Sequence, residues 1–179
     1  MNGQSYTCKN GQTVLIREAL PEDAERLVTH VNAISYESDF IGISPGEFDM
    51  TVEQEAQFLS ACQANPSHIY LLALDGEKVI GALHFATGKR KRVNHSGEFG
   101  ISVLKEYWGL GIGSSLLDTL INWATNNESV KKINLRVRTD NQRALELYNK
   151  KGFQIEGTLK EEIFEAGTYY DLYSMALFV

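Results

Sequence analysis

Residues 103–114 read VLKEYWGLGIGS, the end of a strand that passes through Gly109, Gly111 and Gly113 into an apolar-periodic helix. Glycine at alternate positions lets a backbone come close to a ligand, because no Cβ stands in the way. A helix starting behind such a turn offers unpaired N–H groups and the positive end of its dipole, which together make a cradle for a pyrophosphate. The same glycines could also do no more than shape a tight strand-to-helix turn. A P-loop is excluded, since Gly113 is followed by Ser114 and Ser115 with no lysine. A dinucleotide fingerprint belongs in the first β-α turn of a chain, and this turn comes late, after several strand-like segments.

Upstream, Thr13 to Arg17 alternates like a strand, and after Pro21 the apolar spacing of Leu27, Val31 and Ile34 predicts a helix. Residues 35–50 carry aromatics, acids, Gly and Pro without a clean period and read as loop or broken helix. Thr51 and Gln54 have capping-box spacing in front of a second helix. His68 to Leu74 and Lys78 to Thr87 flank Asp75-Gly76 as a hairpin, and Ser96 to Leu104 follows as another strand. Downstream, Leu110 to Asn126 reads as a helix, Lys132 to Arg138 as a strand and Asn141 to Lys151 as a helix stopped by Gly152. Phe153 to Phe164 and Thr168 to Phe178 close the chain as a hairpin. The order β-α-α-β-β-β-α-β-α-β-β predicts an α/β (α+β) fold, with one mixed, mostly antiparallel sheet and helices on both faces.

At 179 residues and 43% hydrophobic content the chain suits a single domain spanning 1–179, with 1–12 expected to be a flexible N-terminus. A net charge of -6 speaks against a nucleic acid partner held by general basicity. Lys89 to Arg92 is the one basic run; it reads as a solvated loop or as a docking patch for an acidic partner. No segment has the length and apolarity of a membrane span and the first residues lack a signal-peptide core, so no membrane association and a cytoplasmic location are expected. Cys8 and Cys62 read as free thiols, and the histidines are too scattered to draw a metal site.

The glycine turn acquires a more specific meaning beside a second stretch, Arg138-Thr-Asp-Asn141-Gln-Arg-Ala144-Leu-Glu-Leu-Tyr148, ending in Gly152-Phe153. Asn141, Ala144 and Tyr148 are spaced to share one helix face. Together the two stretches resemble the acetyl-CoA-binding motifs of the GNAT N-acetyltransferase superfamily, in the family's order and on its elements. The first departs from the pattern in having Trp108 where the family has Arg or Gln.

The resemblance implies an N-acetyltransferase that moves an acetyl group from acetyl-CoA, without a metal, directly to a primary amine of a small molecule or a protein N-terminus. It implies cofactor contacts from Ile101, Ser102, Val103, Trp108, Gly109, Leu110, Gly111, Ile112, Gly113, Ser114, Asn141, Ala144 and Tyr148. Tyr148 would protonate the departing thiolate, the alternative for it being a core aromatic. Glu98 is the candidate base, and it reads equally as an exposed strand position. Acceptor contacts would come from Tyr36, Glu37, Asp39, Phe40 and Tyr170, and relatives of this kind commonly form homodimers. A non-catalytic acyl-CoA-binding or sensor module of the same fold stays open as an alternative.

Overall fold

The structure is a computed structural model that describes residues 3–179. Its strands are β1 (Gln4–Thr7), β2 (Thr13–Glu18), β3 (His68–Asp75), β4 (Lys78–Thr87), β5 (Ser96–Val103), β6 (Lys132–Arg138), β7 (Gln154–Glu165) and β8 (Thr168–Phe178). Its helices are α1 (Ala24–Glu37), α2 (Val52–Gln63), α3 (Ile112–Thr125) and α4 (Gln142–Lys150). The strands form one sheet in the order β1-β2-β3-β4-β5-β6-β8-β7. Among the described residues only β5 and β6 run parallel; they are linked through α3, because a parallel neighbour needs a crossover.

Strand alternation divides the core between the two faces. Leu72 and Leu74 of β3 pack with Leu27 and Val31 of α1 and Leu59 of α2. Leu71 and Ala73 turn the other way, toward Leu116, Leu117 and Leu120 of α3 and the cluster that holds Leu145 and Tyr148 of α4. The expected mixed, mostly antiparallel sheet with helices on both faces is therefore the fold observed.

Three expected boundaries move. Residues 4–7 of the expected flexible N-terminus are strand β1, with Tyr6 opposite Val14; Met1 and Asn2 of that segment lie outside the described residues. QSYT is polar and carries no apolar alternation, so an edge strand of this kind leaves no sequence signal. Helix α1 continues through Ser35, Tyr36 and Glu37, which were expected in the loop. Helix α3 starts at Ile112 rather than Leu110, because Gly109 and Gly111 stand at φ of 82° and 94°, outside helical space. The capping box of α2 forms as expected: Gln54 N–H donates to Thr51 Oγ1 at 3.2 Å and Thr51 N–H to Gln54 Oε1 at 2.8 Å.

The feature that places a site is the short β5–β6 ladder. It pairs only Ser96 with Lys132, Gly97 with Ile133 and Glu98 with Asn134. At its end Asn134 Nδ2 donates to Ser96 Oγ and to Gly97 O, both at 2.8 Å. Beyond Glu98 the two strands diverge, each still held by its outer neighbour: β5 by β4 as far as Val103, and β6 by β8 as far as Arg138.

Candidate active site

A cavity of ≈ 1140 Å³ occupies this opening, walled by β5, the glycine turn, the first half of α4 and the end of α1. Leu104 N–H donates to Ile80 O on β4 at 2.9 Å. Antiparallel alternation then turns the N–H and C=O of Phe99, Ile101 and Val103 toward the open side. Val103 O is taken by Trp108 Nε1–H at 2.6 Å, which leaves Val103 N–H and both backbone groups of Ile101 facing the gap. Ser102, expected among the cofactor contacts, pairs its backbone register with Ala82 of β4 and sends its side chain to the opposite face of the sheet.

In the glycine turn the three glycines serve different ends. Gly109 and Gly111 hold a positive φ, and a Cβ on Gly111 would collide with the Tyr6 hydroxyl. Gly113 lies inside α3, where a Cβ would stand 3.5 Å from Leu147, 3.9 Å from Val103 and 4.0 Å from Ile101, all on the cavity wall. Ser114 also lines the cavity. Leu110 does not: its carbonyl accepts from Lys9 N–H at 3.2 Å and its side chain packs on the core. Ile112 is a core residue that forms part of the floor. The Arg143 guanidinium lies 4.7 Å from the Trp108 ring centroid, so a cation stands beside the position where the motif has Arg or Gln.

Across the gap, Asn141 caps α4, its Oδ1 accepting from Ala144 N–H at 3.2 Å. Asn141, Ala144 and Tyr148 all line the cavity, as their spacing on one face requires. Tyr148 is 7% exposed, with ring centroids 5.9 Å from both Phe99 and Phe153. Burial pushes its phenol up to about 12. Glu98 stands at the last β5–β6 pair, exposed, with Oε2 3.6 Å from Arg136 Nε.

The expected acceptor contacts divide. Glu37, Asp39 and Phe40 line the cavity, whereas Tyr36 and Tyr170 are not part of its wall. Tyr36 is on the solvent side of the last turn of α1 at 74% exposure. Tyr170 lies under Arg138, whose guanidinium carbon is 3.5 Å from its ring centroid and 4.8 Å from that of Phe40. Arg138 is buried and fully engaged. It donates to Asp140 through Nε at 3.0 Å and Nη2 at 2.7 Å, to Glu165 Oε2 at 2.9 Å and to Asp39 O at 3.1 Å. It thereby ties the segment after α1 to the β7–β8 hairpin, and its hydrogen bonds hold the Asp140 carboxyl below the usual range.

Sequence reasoning quoted Arg138 inside a motif and gave it no role. Its only signal was an arginine ending an apolar strand two residues before an aspartate. The wall on the α1–α2 face was also missed, although His30 falls within the apolar stripe of α1 between Leu27 and Val31. Lys89 to Arg92 are exposed in the turn between β4 and β5, at the Ser96 end of β5. With about seven residues at roughly 3.3 Å each along that strand, the run sits more than about 20 Å from the glycine turn. Replacing these four residues by serine should leave coenzyme A affinity within about twofold by calorimetry.

Comparison with known proteins agrees with this geometry. The sequence model of the Acetyltransferase (GNAT) family matches residues 34–153. The L-amino acid N-acetyltransferase AaaT of Escherichia coli K12 is 38% identical over 103 residues, which is 58% of this chain and 63% of that protein. The chain spans less than two thirds of the length of the first curated relatives it matches. A GNAT-family acetyltransferase from Streptococcus pneumoniae superposes with a TM-score of 0.90 at 37% identity, covering 93% of this chain and 99% of that one. The fold is shared as well with yncA of Salmonella typhimurium, solved with its cofactor acetyl-CoA, at a TM-score of 0.80 and 19% identity over 92% of this chain and 93% of that one. The opened sheet, the glycine turn and the matched family model have one common meaning: this chain belongs to the GNAT acetyltransferase family.

Proposed function

We propose that the protein transfers an acetyl group from acetyl-CoA directly to a primary amine. The observation that carries this reading is the sheet opening, which sets strand-free backbone groups at Ile101 and Val103 across from the Tyr148 face of α4. The residues present fit coenzyme A: an open strand edge for its amide groups, a turn free of Cβ atoms at Gly109 and Gly111, and the N–H groups that begin α3 for its phosphates.

Acetyl-CoA, when bound, supplies the thioester that the amine attacks. Ile101 N–H and Val103 N–H are the fixed donors that can receive the negative charge developing on the carbonyl oxygen. Tyr148 Oη has no hydrogen-bond partner among the described residues and is the donor available to the departing sulfur. A thiol titrates near 8.5, well below the Tyr148 phenol, so Tyr148 acts by hydrogen bonding to developing charge before any full proton transfer. Lysine-like amines have a pKa near 10.4 and need a base, and Glu98, one of four carboxylates on the cavity wall and the one on β5, is the candidate. A covalent acyl-cysteine is disfavoured: Cys8 and Cys62 are buried, neither is part of the cavity wall, and burial pushes the Cys62 thiol up to about 11.

The binding half of the reading has a direct measurement. Acetyl-CoA at 100-fold above its dissociation constant should add about 2.7 kcal/mol of stability, visible as a rise in melting temperature. No rise at millimolar acetyl-CoA would remove the cofactor assignment. Acyl-CoA binding without transfer is the second reading, favoured by the Trp108 indole occupying the Val103 carbonyl. Release of thiol in the presence of amines separates the two.

A further inference from the structure

The cavity passes through the sheet opening to the α1–α2 face. Its wall there is made by Val31 and Ile34 of α1, Tyr70 of β3, Ala82 and His84 of β4, and Ser102 of β5. Val31, Ile34 and Ala82 are buried apolar residues. The His84 ring stacks on Tyr70 at 5.2 Å, and burial brings its pKa down to about 4, so it is neutral at pH 7. None of these six side chains carries a charge. The acids that line the cavity, Glu37, Asp39, Glu98 and Asp140, are all exposed, and none belongs to this wall.

Within this wall the orientation of one hydroxyl is dictated. His30 is 2% exposed, with Nδ1 3.1 Å from Val79 O and Nε2 2.9 Å from Ser102 Oγ. A backbone carbonyl can only accept, so Nδ1 carries the hydrogen. In a neutral imidazole Nε2 then presents a lone pair, and the Ser102 O–H must donate to it. Burial keeps His30 neutral, with a pKa brought down to about 4. Ser102 Oγ, its hydrogen committed, has only lone pairs left to offer the cavity.

We propose that this arm binds the acceptor, a primary amine carrying a single uncharged apolar or aromatic group, with an amine N–H donating to Ser102 Oγ. The proposal rests on the acetyl-transfer reading above and names the substrate class of that site. A second ammonium, as in a polyamine, would leave water in this arm without a carboxylate among these six side chains to pair with, which is costly. An apolar group finds Val31, Ile34, Ala82 and the Tyr70 face instead. Ser102 moves no proton; it positions the amine by accepting a hydrogen bond beside Ile101 and Val103.

The test is initial rates of thiol release from acetyl-CoA with 2-phenylethylamine, hexylamine, spermidine and an alanine-led tetrapeptide. Wild type is compared with Ser102→Ala, Ser102→Cys and Ser102→Thr. Cysteine keeps an S–H for His30, so the fold retains that contact, but its sulfur is a weak acceptor. The two monoamines should exceed spermidine and the peptide in kcat/KM by about tenfold or more. Ser102→Ala and Ser102→Cys should raise KM for the monoamine by about tenfold, the weight of one hydrogen bond to a charged group. KM for acetyl-CoA should hold, and Ser102→Thr should restore the acceptor KM. Preference for spermidine or the peptide, or an unchanged amine KM in Ser102→Cys, overturns this proposal while leaving acetyl transfer standing. Thiol release with none of the four overturns both.

Discussion

Tyr148→Phe should lower turnover by about 10²- to 10⁴-fold, the usual weight of a proton donor in catalysis, while coenzyme A affinity holds. The ring is packed by Phe99 and Phe153, and phenylalanine keeps those edge contacts, so only the hydroxyl is lost. The lower part of the range is expected if the phenol does no more than hydrogen-bond to the sulfur, because a single donor to developing charge contributes about 10²- to 10³-fold. Since burial raises the phenol to about 12, it stays protonated across the neutral range. Any alkaline limb it contributes should therefore lie near 12 rather than the 10 of free tyrosine, and should vanish in the variant. Steady-state turnover measured alongside coenzyme A calorimetry decides the matter. Wild-type turnover would take Tyr148 out of the mechanism, and joint loss of affinity and turnover would make it a binding residue.

Gly113→Leu should weaken coenzyme A binding by about 100-fold while leaving the fold intact. Gly113 is helical, and its missing Cβ would make only ordinary contacts with Leu147, Val103 and Ile101. From there a leucine grows between β5 and α4, into the space the cofactor needs, and overpacking of this kind is worth about 1–3 kcal/mol or more. Gly111→Val is the poorer experiment, although Gly111 looks equally exposed to a ligand in the sequence. Its φ of 94° strains any side chain, and the added Cβ runs into Tyr6, so lost binding there would report distortion rather than obstruction. Unchanged affinity in a folded Gly113→Leu protein, judged by calorimetry and melting, would place the cofactor elsewhere.

Most of the fold was legible because its elements carry local signals. The Thr51–Gln54 box, the Asp75-Gly76 hairpin and the glycine punctuation of α3 each depend on residues a few positions apart. What was not legible depends on contacts between distant segments. Strand β1 exists because β2 offers an edge, and nothing in QSYT announces it. Gly109 and Gly111 could be singled out because their motif fixes them relative to the start of α3, and Asn141 and Tyr148 relative to the start of α4. Arg138 could not be read as a hub, since beyond nearby Asp140 its partners at 39, 165 and 170 come together only in the folded chain. Tyr36 and Tyr170 were chosen for type and neighbourhood, and neither criterion tells which way a side chain points. The Ser102–His30 pair spans 72 residues, and the place of His30 in the apolar stripe of α1 says nothing of its partner.

The short β5–β6 ladder also bears on how the molecule yields. With three register pairs at the join, the sheet is two blocks, β1 to β5 and β6 to β8, each internally continuous. Local opening in proteins follows such cooperative units, and the seam between them is the lowest-energy place to part. Helix α3 crosses from one block to the other, and Asn134 bolts the closed end. A ligand lying in the gap touches both blocks, so its binding energy adds to the coupling that α3 and the shared core already provide between them. Occupancy should then be felt at the far edges, in β1 and β7, as much as at the atoms in contact.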